Sequence, residues 1–163
     1  LLSVAFILVL YRVLRGTGKA LALFGTVLGV IGFVGIAFSD VATFFLFDPL
    51  SNIYHAPAVT PEAQATVVLL WETTKGINYT FTFLGSFFLM IGFIALGIAM
   101  LGAPAFSRRL GGVSIVLGVL GIVGVVVSLF VIETIGFMFV ADLIFLPLFG
   151  LKVYRLSKTT KKT

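Results

Sequence analysis

The residue that most needs a chemical explanation is Asp142, which lies inside the otherwise apolar run 135–151. A carboxylate in such surroundings costs several kcal/mol unless it is protonated, paired or open to water. One interpretation is a site for a proton or a cation. The other, which we favour, is a hydrogen-bonded contact between helices. The expected partners of Asp142 are Lys75, Asn78, Thr80 and Thr82.

Glu72, Lys75 and Asn78 form a second polar group, because their three-residue spacing brings them to one face of a helix. Their simplest role is an ion pair and a polar cap where an apolar helix begins. A more demanding hypothesis joins them with Glu133 and Asp142 in a polar pocket that opens outward. Both interpretations stay open at the level of sequence.

Little other chemistry is available to the chain, which has no Cys and a single His, His55. Disulfides and thiolate chemistry are therefore excluded within the chain, and one His cannot supply a bis-His haem site. A zinc site normally needs three or four ligands. The sequence also has no Ser-His-Asp order and no glycine-rich nucleotide loop. We expect a noncatalytic protein with no metal and no cofactor.

Composition identifies the environment in which these residues must act. Hydrophobic residues make up 60% of the chain, charged residues only 10%, and the mean hydropathy is +1.24. Soluble domains carry about 25% charged residues, so a soluble fold is excluded. Several apolar runs approach the ~20 residues that cross a bilayer as a helix, and the run 113–131 lacks the alternation of a barrel strand. We predict an all-α, polytopic transmembrane bundle in a single domain.

The charges of the chain follow a membrane topology. The basic residues form three clusters, and the acids lie between them, with Lys75 as the exception. Basic clusters mark the cytoplasmic side of a membrane. The net charge of +5 suits anionic lipid headgroups and not nucleic acid. The expected inner-face lipid anchors are Arg12, Arg15, Lys19, Arg108, Arg109, Lys152, Arg155 and Lys158.

The apolar runs between the clusters define the elements. We predict four full spans and a partial N-terminal helix, with a cytoplasmic C-terminus in a plasma-membrane protein. Because residue 1 is not Met and the first apolar run is too short to span, we also expect residues upstream of it. The predicted ranges are a partial helix over 1–14, spans over about 20–47, 61–101, 110–132 and 135–151, an outer loop over about 48–60 and a basic inner tail over 152–163. Thr60, Pro61 and Glu62 predict the start of the second span.

Glycines at three- and four-residue spacing lie along one side of two of the spans and predict close helix packing. They are Gly25, Gly29, Gly32 and Gly35 in the first span and Gly118, Gly121 and Gly124 in the third. The two spans also share a pattern, VLGVIGFVGIAFS over 27–39 and VLGVLGIVGVVVS over 116–128. A same-direction duplication and a chance match of Gly, Val, Leu and Ile are both open explanations.

Several stretches resemble a family of small polytopic membrane proteins known as domain of unknown function 4386. The matching stretches are the Leu-Tyr-x-x-Leu-Arg turn over 10–15, the proline and tyrosine stretch over 49–54, the Phe-Ser-Arg-Arg-Leu-Gly turn over 106–111 and the terminal Gly-Leu-Lys-Val-Tyr-Arg-Leu over 150–156. The resemblance implies a helical bundle with one helix and half of the next upstream of residue 1. It implies no activity, substrate or site residue.

Abundant packing surface and scarce chemistry favour a structural or accessory role. We expect an integral membrane protein whose partners are the lipid bilayer and either other membrane subunits or copies of itself. The alternative is a small transporter or ion-translocating protein that uses Asp142. A change in ion flux caused by Asp142→Asn would distinguish this alternative from the structural role.

Overall fold

The computed structural model describes residues 2–16, 18–56, 60–128 and 130, and the regular structure within these ranges is entirely helical. The helices are α1 (Leu2–Leu14), α2 (Lys19–Tyr54), α3 (Pro61–Leu101) and α4 (Arg108–Ser128). The last three are long and apolar enough to cross a membrane, and α1 is a shorter apolar helix. The prediction of an all-helical chain is confirmed for the described residues, and three of its helices have the length and apolar composition of membrane spans. The predicted fourth span and basic tail lie outside the described residues.

Helix α3 is the centre of the bundle. In its most apolar stretch 61% of the residues are buried, against 28% in the corresponding stretches of α2 and α4. Both of those helices pack antiparallel against α3, and α1 packs against α2. The core fills the space between α1, α2 and α3, and it includes the fully buried residues Ile7, Leu10, Leu14, Ala22, Leu89, Phe93, Leu96 and Met100. Ala103 and Phe106, in the turn after α3, close it at one end.

The start of α3 agrees with the sequence prediction. Thr60 is the N-cap, and its hydroxyl oxygen accepts a hydrogen bond of 3.3 Å from the backbone N–H of Ala63. Pro61 occupies the first turn, where a backbone N–H would have no carbonyl partner within the helix, so the N–H that proline lacks is not needed. Glu62 lies near the positive end of the helix dipole. These signals are local in sequence, so the start of the helix could be predicted without knowledge of tertiary contacts.

The predicted outer loop over about 48–60 is wrong in its first half, because α2 continues to Tyr54. Pro49 suggested a break, since proline cannot donate to the carbonyl four residues earlier and its ring crowds that carbonyl. The helix changes to a π-helical turn over Thr43–Phe47 and resumes as an α-helix over Asp48–Tyr54. The wider turn lies just before the proline, where the standard α-helical hydrogen bond is lost. Its position explains how α2 passes Pro49.

The described basic clusters lie together at one end of the bundle. Arg12, Arg15 and Lys19 flank the turn between α1 and α2, and Arg108 and Arg109 begin α4; all five are exposed. The two turns are adjacent, because a Cβ atom added to Gly18 would lie 3.7 Å from the Cβ of Ala99 near the end of α3. Among the described cations only Lys75 lies elsewhere. We call this the basic end of the bundle and the opposite end the outer end.

Helices α2 and α3 are much longer than a bilayer requires. Exposed Lys19 and exposed Asp40 are 21 positions apart in α2, or about 31 Å along the axis, which matches the ~30 Å hydrocarbon core. With 36 and 41 residues, α2 and α3 extend to about 54 and 61 Å. If the hydrocarbon core begins at Lys19, residues 41–54 of α2 and 61–77 of α3 lie beyond it. We call them the outer arm.

Candidate functional site: the polar clasp and the outer arm

A seam of small residues holds α2 against α3. Every seventh residue of α2 meets every seventh residue of α3 in the opposite direction, so that the pairs are Gly18 with Ala99, Gly25 with Gly92, Gly32 with Gly85, and Ser39 with Asn78. A Cβ atom on Gly25 would lie 2.9 Å from the Gly92 carbonyl oxygen, and one on Gly32 would lie 2.6 Å from that of Gly85. Because backbone atoms cannot move aside as a side chain can, these two positions require glycine.

The other predicted packing glycines lie against different neighbours. A Cβ atom on Gly29 would meet the end of the Ile7 side chain of α1 at 2.7 Å, and one on Gly35 would lie 3.2 Å from the Gly85 Cα. In α4, Gly118 lies against Ile94 and the Met90 carbonyl, and Gly121 lies against the Met90 sulfur. Gly124 differs, because a Cβ atom there would meet no described atom within 4 Å. The packing predicted for Gly124 is thus not made with the described part of the chain.

The outer end of the seam is a group of neutral polar side chains, Ser39, Thr43, Asn78 and Thr82, which we call the polar clasp. The Ser39 hydroxyl donates to the Asn78 side-chain oxygen at 2.7 Å and lies 2.5 Å from the Thr82 hydroxyl. The Asn78 amide nitrogen donates to the Ser39 carbonyl at 2.9 Å and to the Thr43 hydroxyl at 2.6 Å. The amide of Asn78 therefore uses both its donors and its acceptor on the neighbouring helix.

The side chains of the polar clasp are suited to a structural role and not to catalysis. An amide and three hydroxyls do not ionise at physiological pH, so they do not offer an acid, a base or an anionic cation site. Ser39 is only 3% exposed, whereas Thr43, one turn further along α2, is exposed. The buried Ser39 hydroxyl therefore depends on its partners in α3 for hydrogen bonds that water does not supply. The clasp fixes the register of α2 on α3.

A second polar contact joins α4 to α3. The Ser114 hydroxyl, which is fully buried, donates to the Phe93 carbonyl oxygen at 2.7 Å. Sequence reasoning missed both Ser39 and Ser114. The signal was present in the spacing, because Ser39 follows Gly25 and Gly32 at seven-residue intervals and Ser114 lies three residues after Gly111 and four before Gly118. A serine in a line of packed glycines faces the same neighbouring helix.

The predicted group of Glu72, Lys75 and Asn78 separates into two environments. The Lys75 ammonium lies 3.9 Å from a Glu72 carboxylate oxygen, and both side chains are about half exposed, so the simple ion pair is present as a weak surface contact. Asn78 belongs to the polar clasp instead. Glu133 and Asp142 lie outside the described residues, so the larger polar pocket stays a prediction.

The expected partners of Asp142 already have partners of their own among the described residues. Lys75 pairs with Glu72, and Asn78 and Thr82 bond to Ser39. The Thr80 hydroxyl donates to the Gly76 carbonyl at 2.9 Å within its own helix. Each of these groups is satisfied without a carboxylate from another span.

The outer arm carries two further features. A cavity of about 270 Å³ opens between the last turn of α2 and the first turns of α3, with Ser51, Tyr54, His55, Val67, Trp71 and Glu72 in its lining. The arm also exposes large apolar side chains: Phe44 is 72% exposed, Phe45 74% and Leu69 68%. Within the described ranges no group of three His, Asp or Glu side chains could hold a metal ion.

The chain was compared with models of protein families, with curated proteins and with solved structures, and none of them matches. The resemblance to domain of unknown function 4386 therefore stays a prediction.

Proposed function

We propose that this chain is a noncatalytic, multi-pass membrane protein that associates side by side with other membrane proteins, including copies of itself. In this proposal 135–151 is a fourth span, the basic end and the C-terminal tail lie in the cytoplasm, and the membrane is the plasma membrane. The observation that carries the proposal is the apolar surface of the outer arm.

Exposed apolar side chains have different meanings at different depths. Phe24, Val34 and Phe38 are 53%, 58% and 53% exposed, but they lie between Lys19 and Asp40, where lipid tails surround them. Phe44, Phe45 and Leu69 lie beyond Asp40, among the exposed charges of Asp48, Glu62 and Glu72. Large apolar patches in contact with water mark interaction sites. The outer arm is therefore the surface that needs a protein partner.

A second copy of the chain is the first partner to test. Copies inserted in the same orientation bring their outer arms to the same height above the membrane, so the surface around Phe44 and Phe45 of one copy meets the same surface of the next. Such a contact is isologous and closes as a dimer. The seam glycines are not available for it, because Gly25 and Gly32 are occupied by α3.

Cysteine cross-linking tests this proposal directly, because the natural chain has no Cys. Phe45→Cys adds a single thiol on the outer arm, and Val34→Cys adds one on the lipid-facing part of the same helix. We expect mild oxidation in native membranes to produce a disulfide-linked dimer of Phe45→Cys and much less of Val34→Cys. Native mass measurement of the unmodified protein should find a dimer or a larger assembly.

The outcomes of these two experiments distinguish self-association from association with a different membrane subunit. A larger native assembly with no Phe45→Cys homodimer indicates a different membrane subunit, and mass spectrometry of the assembly identifies it. A clean monomer in mild detergent, together with equal cross-linking at both positions, contradicts the proposal.

A further inference from the structure

The cavity of the outer arm has the composition of a site for a small organic cation. Its lining combines the aromatic rings of Trp71 and Tyr54 with the carboxylate of Glu72, over a floor that includes the buried Val67. Aromatic faces attract ammonium groups through the ring quadrupole, and tryptophan does so best. From this juxtaposition we propose that the cavity binds an alkylated ammonium group, either on a free small molecule or on a lipid headgroup.

The aromatic wall of the cavity is held in place by packing. The Trp71 ring meets the Phe47 ring edge-on with centroids 4.7 Å apart, which joins α3 to the π-helical turn of α2. Tyr54 meets His55 edge-on at 5.2 Å, where α2 ends. Edge-to-face contacts of this kind orient a ring as well as burying it. The cavity is thus formed by the two helices before any ligand binds.

The charge and the volume of the cavity limit which ligands it can bind. The only cation near the cavity among the described residues is Lys75, whose ammonium lies 3.9 Å from one Glu72 oxygen, and both side chains are open to water. This long contact leaves the carboxylate able to accept a second cation. A volume of about 270 Å³ is just below the usual 300–1,000 Å³ of ligand pockets, so it fits a headgroup-sized ammonium and not a large ligand.

The position of the cavity allows two sources of this group. It lies on the outer arm, where a soluble amine can enter from water, and its Trp71 side, about 10 Å along α3 from Asn78, is the part nearest to the headgroups of the outer leaflet. The chemistry of recognition is the same for both. The inference does not depend on self-association of the arm, so either proposal can fail without the other.

The chain contains a single tryptophan, and this tryptophan lines the cavity, so fluorescence excited selectively at tryptophan reports on the site. The full chain is purified in a maltoside detergent and titrated with choline, with sodium chloride as the control for ionic strength. We expect a saturable change in Trp71 emission. The neutral tert-butyl analogue of choline has the same shape without the charge, and we expect it to bind more weakly by about two- to fivefold.

Variants then locate the contribution of each group. Glu72→Gln should weaken choline binding by about fivefold, because one exposed charge contact is lost. Glu62→Gln removes an acid of the same helix outside the cavity and should leave the affinity unchanged. Tyr54→Leu should weaken choline binding about two- to fivefold, because one aromatic face is lost. The thermal stability of this variant shows whether its fold is retained.

Reconstitution distinguishes the source of the ligand. In nanodiscs of phosphatidylcholine a headgroup that occupies the cavity should reduce the response to added choline, whereas phosphatidylglycerol nanodiscs should retain it. Equal responses in both lipids favour a free ligand. A response that does not saturate, or that is the same for choline, its neutral analogue and Glu72→Gln, overturns the proposal.

Discussion

The side chain of Asn78 shows how a single uncharged residue can hold two helices of the bundle together. Its amide forms hydrogen bonds with Ser39, Thr43 and Thr82. Ser39 is buried, so water does not replace a partner that it loses. Removing one member of such a group leaves buried partners unsatisfied, which costs more than the bond itself contributes. The clasp is therefore sensitive to single substitutions.

We predict that Asn78→Leu lowers the free energy of unfolding by about 1–2 kcal/mol, since the Ser39 hydroxyl loses the Asn78 side-chain oxygen and the Ser39 carbonyl and Thr43 hydroxyl lose the amide donor. Interhelical hydrogen bonds in membranes average about 0.6 kcal/mol each, so the three that the Asn78 side chain makes to α2 account for a loss of this size. Unfolding by SDS titration in mixed micelles measures the change. Thr80→Val is the matched control, because that hydroxyl is exposed and bonds to its own helix. Equal effects of the two variants would show that the clasp adds nothing.

At the scale of the element, part of the architecture could be predicted from local signals. The start of α3 followed from Thr60, Pro61 and Glu62 because capping depends on neighbours in sequence. The end of α2 did not follow from Pro49, because a π-helical turn allows a proline within a helix and no local pattern requires that turn. The glycine spacing predicts packing, but not that α3 meets Gly25 or that Gly124 has no neighbour among the described residues.

The clasp was only half predictable for the same reason. Asn78 and Thr82 stand out as polar residues next to an apolar run, so they were recognised as groups that need partners. The sequence also predicts a contact of these residues with Asp142, which lies outside the described residues and stays a prediction. Within the described residues their partner is Ser39, a small residue with a single hydroxyl that has no distinctive signal until α2 and α3 are aligned. Register between helices is a tertiary property, and spacing in one helix does not contain it.

The packing of the seam gives a second prediction. Gly32→Ala places a methyl group 2.6 Å from the Gly85 carbonyl oxygen and 2.7 Å from the Leu89 Cβ, so α2 and α3 must separate. We expect it to reduce stability by about 1–3 kcal/mol, the usual cost of overpacking. Gly124→Ala meets no described atom within 4 Å and should raise stability by about 0.5–1 kcal/mol through helix propensity. Thermal unfolding in detergent compares the pair. A Gly32→Ala protein as stable as Gly124→Ala would contradict the close approach of the helices.

At the scale of the whole molecule, the arrangement of charge and length assigns a depth to every described residue. The basic turns at one end, the distance of about 31 Å from Lys19 to Asp40, and the acids of the outer arm form one consistent gradient along the bundle. With the hydrocarbon core placed between Lys19 and Asp40, this gradient makes Val34 lipid-facing and Phe45 water-facing, although both are more than half exposed. The association proposal depends on that placement, whereas the ammonium site depends on the cavity of the outer arm.

The assignment predicts which positions are accessible from outside an intact cell. Asn52 is exposed on the outer arm, whereas Gly16 and Pro104 are exposed in the two turns of the basic end. Because the natural chain has no Cys, Asn52→Cys, Gly16→Cys and Pro104→Cys each add one thiol. Under the positive-inside rule a membrane-impermeant maleimide should label Asn52→Cys in intact cells and the other two only after permeabilisation. The reverse pattern would invert the topology and move the outer arm into the cytoplasm. Labelling of Gly16→Cys and Pro104→Cys from different sides would contradict the bundle itself, because the contact between Gly18 and Ala99 requires the two turns to share one side.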